Sequence, residues 1–482
     1  MWFFETSTSL GCSLIWATLL LAQTAQSIQL DLDSPESIKK AAKQAASGMM
    51  AYYNGHQPGN IPGNLPEPYY WWEAGAMFGA LVEYWYYTGD DTYNNLTTQA
   101  LLHQTGPENN YMPPNQSRTL GNDDQAFWAF AAMSAAETKY PNPPPDKPQW
   151  LALAQAVFHS QVARWDNTSC GGGLKWQVFP FNNGFTYKNT VSNGCFFNLA
   201  ARLAVYTGRE GYADWAERVW DWTVAVGLVD GEFHFRDGTD ERSNCTVFNT
   251  LQWTYNAGLY LLGAAHMYQF TGNSPLWQTR ITQIIHSLDT TFFAQSNIMS
   301  EITCEPTHTC NTDQRSFKAY LARFMAHTMQ IAPFTRPLLL PKLRASAAAA
   351  ARQCSGPGGV CGLCWTSGVV FDGSVGVGEQ MAALEVFQGL LSGGMTGRVT
   401  AGKGGISTGG GKGPAGGGGG GGGGNEGKNG EDWDWDWDGD GNGNGGSGKG
   451  RVRVTGADRF GAAVFTMFMV VVIVGALYWG VS

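Results

Sequence analysis

Two adjacent carboxylates open a run that is otherwise apolar: Gly121-Asn122-Asp123-Asp124-Gln125 leads straight into Ala126-Phe127-Trp128-Ala129-Phe130-Ala131-Ala132-Met133. A helix that is apolar on every side belongs in a protein interior, because a surface helix carries a polar face. Its two acids therefore arrive at the edge of a buried environment. Successive helical side chains diverge by about 100°, yet two such carboxyl groups can lie about 5 Å apart, the separation at which one attacks an anomeric carbon while the other protonates the departing oxygen. Backbone donors at a helix start help to keep one of them ionised. Mutual repulsion raises the pKa of the other, which then holds a proton for donation. A single Asp here is explained as an N-cap; a cap uses one carboxylate, and the second is left for chemistry.

The elements that must position this pair read as helices. From Ser34 to about Phe387 long Ala, Leu, Trp and Tyr runs dominate, with few alternating β-branched stretches. Tyr87-Thr88-Gly89, Tyr206-Thr207-Gly208 and Phe270-Thr271-Gly272 each close an aromatic-rich helix ahead of another, with Gly suited to the left-handed closing residue. Breaks at Gly89, Pro141, Gly208, Gly272, Pro333 and Gly393 mark off six units of about two helices each. The expected fold is all-α, an (α/α)6 toroid of six helical hairpins, with buried inner helices whose ends and loops line a cleft. Aromatic and amide-rich connections, Tyr52-Tyr53-Asn54-Gly55 to Pro68-Tyr69-Tyr70-Trp71-Trp72-Glu73 and Gly171-Gly172-Gly173-Leu174-Lys175-Trp176 to Tyr187-Lys188-Asn189, suit sugar rings as cleft walls. Any single Trp among them is equally well a core residue, and Glu73 equally well a first-turn acid against the helix dipole.

Of the 482 residues, 64 are glycine, concentrated after Gly393, and the formal charge of −9 excludes a nucleic-acid partner, which needs a basic surface. The apolar run Leu14–Ala22 followed by Ala25-Gln26-Ser27 predicts a signal peptide over 1–27. Sequons at Asn95, Asn115, Asn167 and Asn244 are the expected glycosylation sites of a secreted chain. Cys12 leaves with the signal, and the remaining eight cysteines are expected to pair in an oxidising compartment. Cys361-x-x-Cys364 lacks the second Cys pair of a zinc site, and the histidines show no metal spacing such as HExxH; no metal and no cofactor are expected. Glu379 and Glu385 are expected to be solvated or structural. Residues 28–393 form the expected catalytic domain and 394–447 a Gly-rich and Asp/Trp low-complexity stalk. In that stalk Asp434, Asp436, Asp438 and Gly439 imitate an EF-hand start, but Gly445 stands where the closing acid belongs. Small residues at Gly445-Gly446-Ser447-Gly448, a polar spacer and the apolar run from Phe460 to Val481 form a glycosylphosphatidylinositol (GPI) attachment signal, so 448–482 is expected to be removed. The expected location is the outer face of the plasma membrane, through a lipid anchor, and the cell wall.

The stretches Tyr70-Trp71-Trp72-Glu73-Ala74-Gly75-Ala76, Gly121-Asn122-Asp123-Asp124-Gln125, Tyr187-Lys188-Asn189 with Ser192-Asn193-Gly194, Gln252-Trp253-Thr254-Tyr255-Asn256-Ala257-Gly258 and Gly376-Val377-Gly378-Glu379-Gln380 closely resemble glycoside hydrolase family 76, and within it the fungal GPI-anchored cell-wall branch. The likeness runs in order from about Leu30 to Phe387. It implies an (α/α)6 fold and endo-acting, retaining cleavage of α-1,6-mannan, with Asp123 as nucleophile and Asp124 as acid/base. Trp71, Trp72, Glu73, Gln125, Tyr187, Asn189, Asn193, Tyr255 and Asn256 are the expected substrate contacts. For the fungal branch it also implies wall biogenesis, in which the GPI-linked glycan of other wall proteins is cut at mannose and joined to wall glucan as acceptor. The rival readings are a non-catalytic mannan-binding wall protein and a different enzyme on the same toroid.

Overall fold

The computed structural model describes residues 27–368 and 371–410. The expected signal peptide up to residue 26, the Asp/Trp tract and the GPI signal lie outside the described residues. Twelve α-helices form within them. Six are outer: α1 (Pro35–Met50), α3 (Asn94–His103), α5 (Trp150–Ala163), α7 (Glu210–Val226), α9 (Pro275–Thr291) and α11 (Arg336–Gln353). Six are inner: α2 (Trp71–Thr88), α4 (Asn122–Glu137), α6 (Thr190–Thr207), α8 (Thr254–Phe270), α10 (Phe317–Ile331) and α12 (Val377–Gly389). Each inner helix packs on the next, and α12 returns to α2, so the ring closes. This is the expected (α/α)6 toroid.

The division between inner and outer helices follows from side-chain pattern. α1 buries Ile38, Ala41, Ala42, Ala45, Ala46 and Met49, a single stripe at helical spacing that leaves the other face to water. In α4 every residue but Asp124 is buried. The three aromatic-Thr-Gly motifs are the turns from an inner to an outer helix. Gly89 (φ +77°) and Gly208 (φ +72°) close α2 and α6 in the left-handed conformation, where a Cβ is strained. In all three the Thr hydroxyl donates back to the carbonyl four residues earlier: Thr88 to Tyr84, Thr207 to Leu203 and Thr271 to Met267, at 2.6, 2.6 and 2.7 Å.

Inner helices α2, α4, α6, α8 and α10 each lead to the outer helix that follows, and α12 packs back on α1, so the inner helices all begin at one end of the ring and finish at the other. A three-stranded antiparallel sheet, β1 (Tyr187–Asn189), β2 (Gly238–Asp240) and β3 (Phe248–Asn249), stands beside the first end and leads into α6. At the second end the inner helices carry buried ions in pairs. Glu137 meets Arg202 at 2.8 Å, Glu385 meets Arg323 at 2.7 Å and Glu83 meets Arg398 at 2.6 Å. Glu385 is thus a structural ion, and so is buried Glu379, which pairs with Arg315 at 3.2 Å.

Arg398 lies beyond the expected domain boundary at Gly393. The segment around it crosses the second end of the ring, where Val399 N–H donates to the Glu137 carbonyl and Ala401 N–H to that of Tyr206. The Leu151 N–H donates to the Ser407 hydroxyl. Glycine-rich composition concealed this, since the strap is held by backbone hydrogen bonds and one buried guanidinium, neither of which has a periodic signature.

Full pairing of the eight cysteines is corrected. Cys170–Cys245, Cys304–Cys310 and Cys354–Cys361 are disulfides, while Cys195 and Cys364 are free. Cys195 is sealed within α6 and Cys364 sits beside His308. An even count brings about pairing only where the Cβ atoms converge.

Candidate active site

Beginnings of five inner helices meet around a cavity of about 310 Å³, lined by Trp72 of α2, Asp123, Asp124 and Phe127 of α4, Asn189 and Val191 at the start of α6, Trp253 and Tyr255 at the start of α8, and Phe317 of α10. Loops complete it with Trp176, Tyr187, Asp237, Asn311, Asp313 and Gln314. Two disulfides brace these loops. Cys170–Cys245 ties the approach to β1 to the β2–β3 connection, and Cys304–Cys310 immediately precedes Asn311. Buried Lys188 and Lys318 fasten the same loops from below, the first to Asp166 at 3.0 Å and the second to Glu305 at 2.7 Å.

The local sequence sets the aspartate pair. Gly121 is the N-cap of α4, and its N–H donates to Asp124 Oδ2 at 2.7 Å. A Cβ on Gly121 would run into Asp123 Oδ1 and press on Trp176, so the absent side chain makes room for the carboxylate. Asp123 Oδ1 accepts from the Asp124 N–H at 3.1 Å, and Asn189 Nδ2 approaches Asp123 Oδ2 at 3.5 Å. Burial raises the pKa of Asp123 above the usual carboxylate range, opposed by these donors. Asp124, its carboxyl desolvated at the cavity wall and standing beside the Asp123 charge, is raised well above that range. The pair therefore holds one proton more tightly than the other. Asp123, with more donors, ionises first.

Two further acids face the cavity. Asp313, raised by burial, accepts from Trp72 Nε1 at 2.9 Å. Asp237, also raised by burial, accepts from the Tyr187 hydroxyl at 2.6 Å and Trp253 Nε1 at 3.0 Å. Tyr255 stacks on Phe317, ring centroids 3.9 Å apart.

Of the expected contacts, Trp72, Tyr187, Asn189 and Tyr255 line the cavity with the aspartates. Trp71 lines a neighbouring cavity, its ring stacked on Trp128. Glu73, Gln125, Asn193 and Asn256 are buried behind the wall. Glu73 accepts from the Tyr70 N–H at 3.2 Å, Gln125 bonds the Asn110 carbonyl and Arg164, and Asn193 bonds both backbone groups of Leu174. Glu73, Gln125 and Asn193 thus hold neighbouring backbone and side chains, while the Asn256 amide is buried without a protein partner. Trp176 comes from a connection expected to wall the cleft, whereas Phe127, Val191, Asp237, Trp253, Asn311, Asp313, Gln314 and Phe317 were not among the expected contacts. A signal existed for some: Asn311-Thr312-Asp313-Gln314 before α10 mirrors Asn122-Asp123-Asp124-Gln125 at the start of α4.

Asn95, Asn115, Asn167 and Asn244 are all exposed. Among the described residues one group, Glu137, His266 and His327, gathers metal-ligand atoms within 4.8 Å at the far end of the ring. Glu137 is already held by Arg202 at 2.8 Å with Arg398 at 3.7 Å, and two guanidiniums oppose a metal cation there.

Comparison with known proteins places this arrangement. The family model of glycosyl hydrolase family 76 matches residues 37–401, an extent that includes Arg398. The mannan endo-1,6-alpha-mannosidase DCW1 of Saccharomyces cerevisiae is 48% identical over 397 residues, covering 82% of this chain and 88% of that protein. Its namesake in Candida glabrata is 51% identical over 363 residues, covering 74% and 80%. The crystal structure of Dfg5 from Chaetomium thermophilum in complex with glucosamine superposes with a TM-score of 0.76 at 46% identity, covering 79% of this chain and 96% of that one.

Proposed function

Because the chain belongs to glycoside hydrolase family 76, we propose that it is a mannan endo-1,6-alpha-mannosidase that acts with retention, Asp123 as nucleophile and Asp124 as acid/base. The observation that carries this reading is the unequal environment of two adjacent carboxylates on one cavity wall. Asp123 accepts from the Asp124 N–H and Asn189, while Asp124, beside that charge, resists ionisation. An ionised nucleophile and a protonated acid are the two states that the first step of retention requires. Asp123 attacks the anomeric carbon as Asp124 gives its proton to the departing glycosidic oxygen. In the second step Asp124 takes a proton from water or a sugar hydroxyl, which displaces Asp123. Non-catalytic mannan binding leaves this adjacent acid pair on the cavity wall without a use.

The substrate is an α-1,6-linked mannoside, either mannan or the mannose of a GPI glycan. The cavity counts four carboxylates, Asp123, Asp124, Asp237 and Asp313, and no Lys or Arg among its lining residues. Such a surface favours a glycan that carries an ammonium group, and the Chaetomium relative is a glucosamine complex. The wall role of the fungal branch, with wall glucan as acceptor, fits this reading. The expected signal peptide, the four sequons, the expected stalk and the expected GPI signal support a location outside the cell on a lipid anchor.

Azide separates the two roles. With an activated α-mannosyl donor, Asp123→Ala rescued by azide is expected to yield the β-mannosyl azide and Asp124→Ala the α-azide. On an α-1,6-mannan oligosaccharide Asp123→Asn and Asp124→Asn are each expected to lose about 10²–10⁴-fold in rate. Full activity in either variant would refute its assignment.

A further inference from the structure

Arg164 closes α5, and its side chain reaches the start of α4. Its Nε donates to Asn122 Oδ1 at 2.8 Å, its Nη2 to Gln125 Oε1, and its Nη1 to Met112 Sδ at 3.4 Å. Both amide side chains are buried. Among the described residues no carboxylate pairs with this guanidinium, and burial alone pulls its pKa down to about 10. A desolvated cation ordinarily keeps an acid partner, as Arg202, Arg323 and Arg398 do at the far end of the ring. Arg164 has two neutral amide oxygens instead.

Those two amides bracket the aspartate pair. Side chains advance by about 100° per residue around an α-helix, so Asn122 and Gln125 share one face of α4. The midpoint between them lies diametrically opposite the midpoint between Asp123 and Asp124. The guanidinium thus grips the back of the helical turn whose front carries the two acids. The same turn is tied to the cleft wall, since Asn122 Nδ2 donates to the Lys175 carbonyl and Asn122 N–H to that of Trp176, both at 2.8 Å. A carboxylate in place of either amide would add a third negative charge behind the pair and raise Asp123 further. Amide oxygens accept from the fork without that penalty.

Resting on the glycosidase reading above, we infer that Arg164 is a positioning residue for the reaction: its planar fork fixes the rotation of the first turn of α4, and so aims Asp123 at the anomeric carbon and Asp124 at the glycosidic oxygen. Arg164→Lys keeps the charge at the end of α5 and one donor, but a single ammonium cannot span both amides in a fixed plane. With an α-1,6-manno-oligosaccharide it is expected to lower kcat per folded molecule by about 100-fold, the scale of a 1 Å misplacement, with KM held within about twofold. Turning Asp123 away from the Asn189 amide removes a donor to its charged form, so the low-pH limb of kcat/KM is expected to move toward higher pH. Gln125→Met deletes one of the two acceptors while leaving Arg164 in place, and is expected to change kcat and the limb in the same directions. The folded fraction is read from thermal unfolding followed by circular dichroism. An unchanged kcat per folded molecule with an unmoved limb overturns the positioning role and leaves Arg164 a strut of the fold. Failure of both variants to fold overturns it in the same way. A parent enzyme that cleaves no donor refutes the glycosidase reading itself, and the role of Arg164 falls with it.

Discussion

Asp313 illustrates how a single residue tunes the others without belonging to their helix. Its carboxylate faces the aspartate pair across the cavity and opposes the ionisation of both. Replacing it with the neutral amide in Asp313→Asn keeps an acceptor for Trp72 Nε1 and removes that charge. Both members of the pair then ionise at lower pH. In a bell-shaped profile of kcat/KM the low-pH limb, where Asp123 loses its proton, and the high-pH limb, where Asp124 loses its own, are both expected to move toward acid. A rate loss with unmoved limbs would mean that Asp313 only supports the loop. The neighbouring Asn189 acts on one member alone, because its amide points at Asp123. It also caps α6 by accepting from the Ser192 N–H, so one side chain joins helix start and site.

Among elements, the start of α4 carries the most consequence. The N-cap Gly121 takes an ordinary backbone conformation (φ −94°), so its role is space and not backbone freedom. Gly121→Ala is expected to fold, to push the Asp123 carboxylate aside and to lower kcat by about 100-fold, the scale of a 1 Å misplacement. A kcat within twofold of the parent would show that the carboxylate can accommodate a methyl group. The motif was legible because the acids stand out against an apolar run with a clear period. Asp237 and Asp313 were not, since both lie in loops with no periodicity, braced by the Cys170–Cys245 and Cys304–Cys310 disulfides and by buried Lys188 and Lys318.

For the whole molecule the ring must be closed at both ends. The cleft end is walled by loops, and the far end is crossed by the segment around Arg398, which is buried between Glu83 and Glu137. Removing one partner of a buried ion network leaves uncompensated charge, so Arg398→Ala is expected to cost about 3–5 kcal/mol in unfolding free energy by urea titration. A chain ending at Gly410 is expected to unfold as the longer protein does, and one ending at Gly394 to lose at least as much as Arg398→Ala. Equal stability of the two truncations would place the boundary at Gly393. Thiol titration of the denatured, unreduced catalytic domain is expected to find two free thiols, those of Cys195 and Cys364; none would indicate full pairing.

Sequence by itself determined the toroid and the aspartate pair. Helical period, the Gly-closed turns and the largely apolar inner helices are local patterns, and Asp123 and Asp124 are neighbours along the chain before they are neighbours in space. Tertiary structure decided the rest of the cavity. Whether Trp72 faces the cleft while Glu73 sinks behind it depends on the rotation of α2 against α4 and α10, and a run such as Trp71-Trp72-Glu73 holds no record of that rotation. The same closure brings Asp313 opposite Asp123 across 190 residues of chain. It also stretches the Gly-rich strap over the base of the ring. Contacts of that kind are made by the ends of helices and by backbone groups, so composition and spacing pass over them.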